Sequence, residues 1–238
     1  MTRPWLRAVP MFAPLDAEVL AALEAAGETR TFGKNHLVDI HCEDDLIVLL
    51  SGAVALSVAE AGRQAVLSTI SGASALNLAC AMTKARCEVR WRTLGPCAVF
   101  ILPGHLFREA LAADAGFAAR AYEALAVAYH QLLSTAADQR LRSAQGRVVS
   151  YLLSLIPASS GGARVRLPYE KGLVASLLGM TPENLSRALG RLTSHGVSIR
   201  GASVIVEEVA RLQTLQDAET GPRRGMRASA TEETNCKA

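Results

Sequence analysis

The residues best placed to do chemistry sit together in one short stretch, GMTPENLSRALGRL, from Gly179 to Leu192. Glu183, Ser186 and Arg187 stand at helical positions i, i+3 and i+4, with Thr181, Asn184 and Arg191 around them. Thr181 suits the N-cap, because its hydroxyl can accept from the free amides of a first turn. Pro182 suits the first helical position, where no amide hydrogen is needed. Glu183 lies where the helix dipole favours a carboxylate. A helix is therefore predicted to start at Pro182. Its apolar positions Leu185, Ala188, Leu189 and Leu192 form one face, and the polar, partly cationic residues form the other.

Upstream, EKGLVASLLG reads as a short helix with Leu173, Val174, Leu177 and Leu178 apolar. Gly179 is its natural C-terminal stop. Two short helices joined by a glycine turn make the helix-turn-helix pattern, whose second helix enters the DNA major groove and reads bases with its first residues. The segment VSIRGASVIVE that follows has two β-branched runs around Gly201-Ala202, which predicts a hairpin, or wing. The plainer alternative is a helical hairpin whose polar face is merely solvated.

Charge favours the DNA-reading alternative. The chain of 238 residues has a net charge of +3, unevenly placed. Residues 1–139 hold 11 Lys/Arg against 14 Asp/Glu, whereas residues 140–200 hold 9 Lys/Arg against only Glu170 and Glu183. The basic excess thus falls on the segment with the helix-turn-helix, and phosphate neutralisation supplies most non-specific DNA affinity. The hydrophobic fraction of 50% is enough for a real core, and no apolar run approaches the ~20 residues a membrane span needs. The N-terminus has no signal-peptide type of apolar core. The five cysteines, Cys42, Cys80, Cys87, Cys97 and Cys236, are odd in number and contain no CxxC pair, so disulfides are not expected. A cytoplasmic protein without membrane contact is the expectation.

The elements that must position the reading helix follow from the texture of the rest. Residues 5–27 read as helical. From Thr31 to Leu102, short β-branched or Leu-rich runs alternate with glycine, as in DLIVLLSGAVALSV and EVRWRTLGPCAVFILP, which predicts a sandwich or barrel-like β domain. Over residues 115–141, Ala118, Tyr122, Leu125, Tyr129, Leu132 and Ala136 step by four and three, the seam of a two-helix coiled coil. The alternative is a helix packed on its own domain. A dimer is favoured because a helix-turn-helix protein gains by presenting two reading helices one DNA turn apart. SAQGRVVSYLLSLI, residues 143–156, is a further amphipathic helix. The expected domains are a β sensor domain at 1–110, a dimerisation helix at 111–141, a winged helix-turn-helix at 142–215 and a disordered tail at 216–238, which is polar and poor in large apolar residues.

A β-rich N-terminal domain, a long helix and a C-terminal winged helix-turn-helix, in this order, resemble the Crp–Fnr family of bacterial transcription regulators. The resemblance covers residues 10–212, and its most specific piece is PENLSRALGRL, similar to an Fnr-type recognition helix with Glu183, Ser186 and Arg187 at the signature positions. It implies an α+β fold with a double-stranded β-helix (β-roll, jelly-roll) sensor domain. It also implies a homodimer bound to double-stranded DNA, with RNA polymerase as a further partner. On this resemblance Arg187 would reach guanine O6 and N7 as a bidentate donor, and Glu183 would accept from a cytosine amino group. Crp-type readers carry an Arg just before the Glu, where this chain has Pro182. The implied target is a palindrome with TTGA/TCAA-like half-sites, with Thr181, Asn184 and Arg191 on phosphates or flanking bases.

What the β domain would sense is open. Cyclic-nucleotide-binding members cradle the ligand with a glycine-glutamate loop followed by Arg-Ser. Here Gly72 is present without the glutamate, and Arg86 precedes Cys87 instead of Ser. A cyclic phosphate there would be poorly satisfied, so cyclic AMP is not expected, with Arg86 the one residue that could rescue it. An iron–sulfur cluster of Fnr type is not expected, since no cysteine precedes Cys42. Haem stays open: His36, His41, Cys42, Cys80, Cys87, Cys97, His105 and His130 could each be an axial ligand, with His41, Cys42 and His130 the first candidates. The effector is therefore unidentified. Two classes compete with a regulator. An enzyme is disfavoured because the chain shows no Ser-His-Asp arrangement, paired carboxylates, P-loop or GxGxxG. A regulatory module without DNA binding is disfavoured by the basic 140–200 segment.

Overall fold

The computed structural model describes residues 5–38, 44–61, 63–85, 89–157, 161–201 and 203–220. In chain order, two 3-10 turns (Trp5–Ala8 and Pro10–Phe12) lead into α1 (Ala17–Ala26), then β1 (Glu28–Phe32), β2 (Leu46–Ser51), β3 (Ala53–Glu60), β4 (Arg63–Ser71) and β5 (Ser74–Ala75). A short α2 (Leu78–Thr83) precedes β6 (Arg90–Thr93) and β7 (Cys97–Leu102). Then come α3 (Gly104–Ala113), the long α4 (Ala115–Leu141), α5 (Ala144–Leu155), β8 (Ala163–Arg166), α6 (Lys171–Leu177) and α7 (Pro182–Arg191). A 3-10 turn (Leu192–His195), β9 (Val197–Arg200), β10 (Ser203–Val206) and α8 (Val209–Thr220) complete the described chain.

Two compact units result. The described residues of 1–141 and 167–186 form the first, and those of 142–166 and 187–238 the second. The first is built on two antiparallel sheets, ordered β1-β7-β2-β5 and β4-β3-β6. Strands β2 and β7 are buried on both faces, and the pleat explains why their sequences are unbroken apolar runs. Leu46 and Val48 of β2, with Phe100 and Leu102 of β7, belong to a core shared with the 3-10 turns, α1, α3 and the start of α4. The alternate residues Ile47, Leu49, Cys97 and Val99 join Val54, Leu76 and Trp91 in a second apolar cluster that takes in both sheets. In the helical layer Phe117 of α4 stacks between Phe12 (ring centroids 5.2 Å apart) and Phe107 (5.9 Å, edge-on). This is the mixed α+β architecture expected: a β-roll, a long helix and a C-terminal winged helix-turn-helix.

Helix α4 coincides with the 115–141 seam. Of the seam residues, Tyr122, Tyr129 and Leu132 are 62%, 58% and 56% exposed, whereas Leu125 packs on the first core. The seam is therefore split: Leu125 serves its own unit, while Tyr122, Tyr129 and Leu132 are open to solvent.

In the second unit β8-β10-β9 form a three-stranded sheet, and α5 packs with α8. Ser143 caps α5: its Oγ accepts from the Gly146 N–H (3.0 Å) and lies 2.5 Å from Glu219 of α8. Helix α8 runs past Leu215 to Thr220, so residues 216–220 are helical and not part of the disordered tail expected there. The reason is tertiary. Val209 and Leu212 are buried, and Glu219 is tied to the start of α5, neither of which the polar composition reveals. The rest of that tail lies outside the described residues.

Candidate nucleic-acid interface

The geometry of α7 is set locally. Helix α6 ends in a glycine-terminated cap: Gly179 takes φ +62°, its N–H donates to Ser176 O (3.0 Å), and Met180 N–H donates to Ala175 O (2.9 Å). That pair of bonds satisfies the last carbonyls and turns the chain sharply. Thr181 Oγ1 then accepts from Asn184 N–H (3.3 Å), the N-cap expected from the sequence. Along α7, Leu185, Ala188, Leu189 and the following Leu192 are buried at 4% exposure or less. Thr181, Glu183, Asn184, Ser186, Arg187 and Arg191 are all exposed. The two sets lie on separate stripes, because residues three and four apart share a face. The arrangement brings a carboxylate, a hydroxyl and a guanidinium together at the first turns of an exposed helix.

The wing supplies cations that the sequence reading did not single out. Register pairs Ser203 of β10 with Arg166 of β8 on one side and with Arg200 of β9 on the other. Arg164, Arg166 and Arg200 are exposed, while Val165, Val197, Val204 and Val206 point to the other face and are buried. A basic row thus crosses the outer face of the sheet. The signal was present in the strict alternation of ARVR (163–166), but β8 could not be recognised as a partner of the wing hairpin without the fold. Gly201 at the hairpin turn takes φ +63°, which a glycine adopts without strain.

The sensing candidates fare differently. Gly72 is exposed at φ +76° with open space where a Cβ would stand. The loop from Gly72 to Asn77 carries no charged residue. Asn77 itself is committed to the backbone, accepting from Ile47 N–H (2.8 Å) and donating to Asp45 O (2.7 Å). The described part of this loop therefore offers a cyclic phosphate no cation. Arg86, His41 and Cys42 lie outside the described residues, as does Cys87. His130 is exposed on α4, edge-on to Tyr129 (6.2 Å). Among the described residues no group of three or more His, Cys, Asp or Glu side chains could hold a metal ion. Cys97 is buried, and burial pushes its thiol pKa up, away from the reactive thiolate. No helix among the described residues is long and apolar enough to cross a membrane.

Comparisons with known proteins agree with this geometry. Residues 146–215 match the Crp-like helix-turn-helix domain. A candidate cyclic nucleotide binding protein of Ruegeria pomeroyi DSS-3 is 25% identical, with 91% of this chain and 99% of that one covered at a TM-score of 0.56. FixK2 of Bradyrhizobium japonicum is 17% identical (79% and 96% covered, TM-score 0.66), and a CooA variant of Carboxydothermus hydrogenoformans is 13% identical (82% and 90%, TM-score 0.68). No match was found among curated proteins. The chain carries a Crp-like helix-turn-helix domain, set at the end of a Crp–Fnr-type fold.

Proposed function

We propose that the protein is a homodimeric, sequence-specific DNA-binding transcription regulator, controlled through its β-roll by an effector still to be identified. One observation carries the reading: the exposed Glu183-x-x-Ser186-Arg187 stripe at the start of a capped α7, within a Crp-like helix-turn-helix. Arg187 has the fork geometry for guanine O6 and N7, and Glu183 the acceptors for a cytosine amino group. TTGA/TCAA-like half-sites follow from these pairings together with the Fnr-type resemblance. Arg164, Arg166, Arg200 and Arg191 would neutralise phosphates and set register without reading sequence. The exposed seam residues of α4, Tyr122 and, beyond the packed Leu125, Tyr129 and Leu132, support pairing with a second copy, since exposed large apolar side chains at this spacing suit an interface. In this reading residues 1–110 sense, 111–141 dimerise and 142–215 bind DNA. Effector binding would alter the packing of α4 and so the spacing of the two reading helices.

The test is a pair of anisotropy titrations at one fixed salt concentration, since salt alone moves such affinities by orders of magnitude. One duplex carries inverted TTGA half-sites one helical turn apart, and the other has the same composition scrambled. The palindrome should bind about 10³-fold or more tighter. Equal affinity for both duplexes would overturn the assignment. Sedimentation of the free protein should give a dimer, and a monomer at micromolar concentration would remove the two-helix arrangement.

A further inference from the structure

Outside the two sheets, the second 3-10 turn and the middle of α4 enclose an open groove of about 730 Å³. Pro10, Met11 and Pro14 stand on one side of it. Ala124 and Val127 of α4 stand on the other, at helical spacing with Arg120 and Glu123. Met11 belongs to the first core and Ala124 packs against it, so the groove opens directly onto the helical layer. Val127 is 57% exposed, an apolar side chain that its own unit leaves uncovered.

The 3-10 wall has almost no polarity to offer. Pro10 and Pro14 carry no amide hydrogen. The Phe12 and Ala13 N–H groups between them are spent on Val9 O (3.0 Å) and Pro10 O (3.2 Å). On the α4 side the backbone is helical and internally bonded. Charge enters only at Arg120 and Glu123, and these answer each other: Arg120 Nη1 donates to Glu123 Oε2 (2.8 Å), with both side chains exposed. A carboxylate or an ammonium in the groove would set a like charge against one member of that pair and give up water for it. A neutral molecule meets no such cost, and the planar guanidinium has further N–H groups to donate to a neutral oxygen.

Pairing of two α4 helices does not fill the groove. At 3.6 residues per turn, Val127 lies about 140° round the helix from the seam residues Tyr122 and Leu132. We propose that the groove binds a neutral small molecule with an elongated apolar body and one hydroxyl or carbonyl oxygen, of the class of a medium-chain alcohol, amide or ester. Its body would lie on Met11, Ala124 and Val127, and its oxygen would accept from Arg120. Apolar walls, a volume of this size and a single polar anchor are the usual make-up of a small-molecule site. A molecule seated there would tie the N-terminal turns to the middle of α4 and favour one setting of that helix. The site is separate from the β-roll and goes beyond the DNA-binding reading, on which it does not depend.

Decanol is the probe, with decanoate and decylammonium as charged analogues of equal chain length. Each is titrated into the full-length protein and followed by amide chemical shifts. Decanol should bind about tenfold or more tighter than either ion and should shift the amides of Met11, Ala124 and Val127. No binding of decanol up to its solubility, or tighter binding of either ion, would overturn the proposal. Val127→Asp places a charge on the exposed wall. It should weaken decanol binding about tenfold while leaving the unfolding midpoint in place, and unchanged affinity would again overturn the site. Tyr129→Asp, on the seam, should leave decanol binding as it was. Loss of binding in that variant alone would put the probe between paired helices and not in the groove. None of these readouts involves DNA, so a protein that failed to prefer the palindrome would still be tested for this site.

Discussion

The exposed polar face of α7 and the apolar cluster between the two sheets of the β domain are opposite kinds of construction. On α7, a cap, a proline, a carboxylate and a 3.6-residue repeat of leucines decide nearly everything, and all of these lie within about a dozen consecutive positions. The cluster between the sheets is assembled from Val38, Ile47, Leu49, Val54, Leu76, Trp91, Cys97 and Val99, drawn from several separate segments spread over some sixty residues of chain. The buried Ser57 of β3 and Thr93 of β6 spend their hydroxyls on nearby backbone and side chains. Among the described residues only the Trp91 indole N–H there is buried without an acceptor. A chemically legible surface can thus be encoded in one short segment, while the interior of a β domain depends on which distant segments meet.

Four substitutions would sharpen or break this contrast. The largest effect belongs to the tertiary side. Phe117→Ala should cost about 3–5 kcal/mol of folding stability, because Phe117 is fully buried between Phe12 and Phe107. Denaturant unfolding measures it, and a loss below about 1 kcal/mol would mean that the aromatic stack does not hold the helical layer. Arg187→Ala comes next and should show the reverse profile. It should lose about 1–3 kcal/mol of specific binding per half-site. Its folding stability should be unchanged to within about 0.5 kcal/mol, since the side chain is exposed. Unchanged palindrome affinity would sever α7 from DNA reading.

Ser143→Ala should cost about 1 kcal/mol, since Ser143 both caps α5 and contacts Glu219. Thermal unfolding of the variant checks it, and no change would place the anchoring of α8 elsewhere. The smallest effect is electrostatic. The Arg108 guanidinium, 2.8 Å from Asp44, holds the Asp44 carboxyl below its ordinary value of 3.8. A carboxyl depressed in the folded state contributes stability above its unfolded value and loses it as pH falls through the lowered native one. Unfolding midpoints should therefore drop on acidification below about pH 4, and Asp44→Asn should flatten that drop. Identical pH profiles for the two proteins would show that the pair does not couple to folding.

Much of the architecture was legible beforehand because its signals are local. The α7 start at Pro182, the Gly179 stop, the wing hairpin and the length of α4 rest on caps, glycines and periodicities that act within a turn or two. The unbroken runs of β2 and β7 marked strands but did not say that helices cover one face and a second sheet the other. The long-range features escaped. β8 gained its meaning only by pairing with β10 through Ser203, which lines up Arg166 and Arg200. The continuation of α8 past Leu215 depended on buried Leu212 and on Glu219 at the start of α5.

By itself the sequence determined the candidate surface: one basic segment, one capped helix and three side chains at helical spacing mark the face proposed to meet DNA. Only the tertiary structure decided what else those elements touch. That α6 lies on the β4 edge, with Ser176 against Val66 and Glu170 against Lys34, appears nowhere in local pattern. Contacts between residues more than a hundred positions apart carry no periodicity and no cap, and they arise only when two separately encoded surfaces are folded into reach.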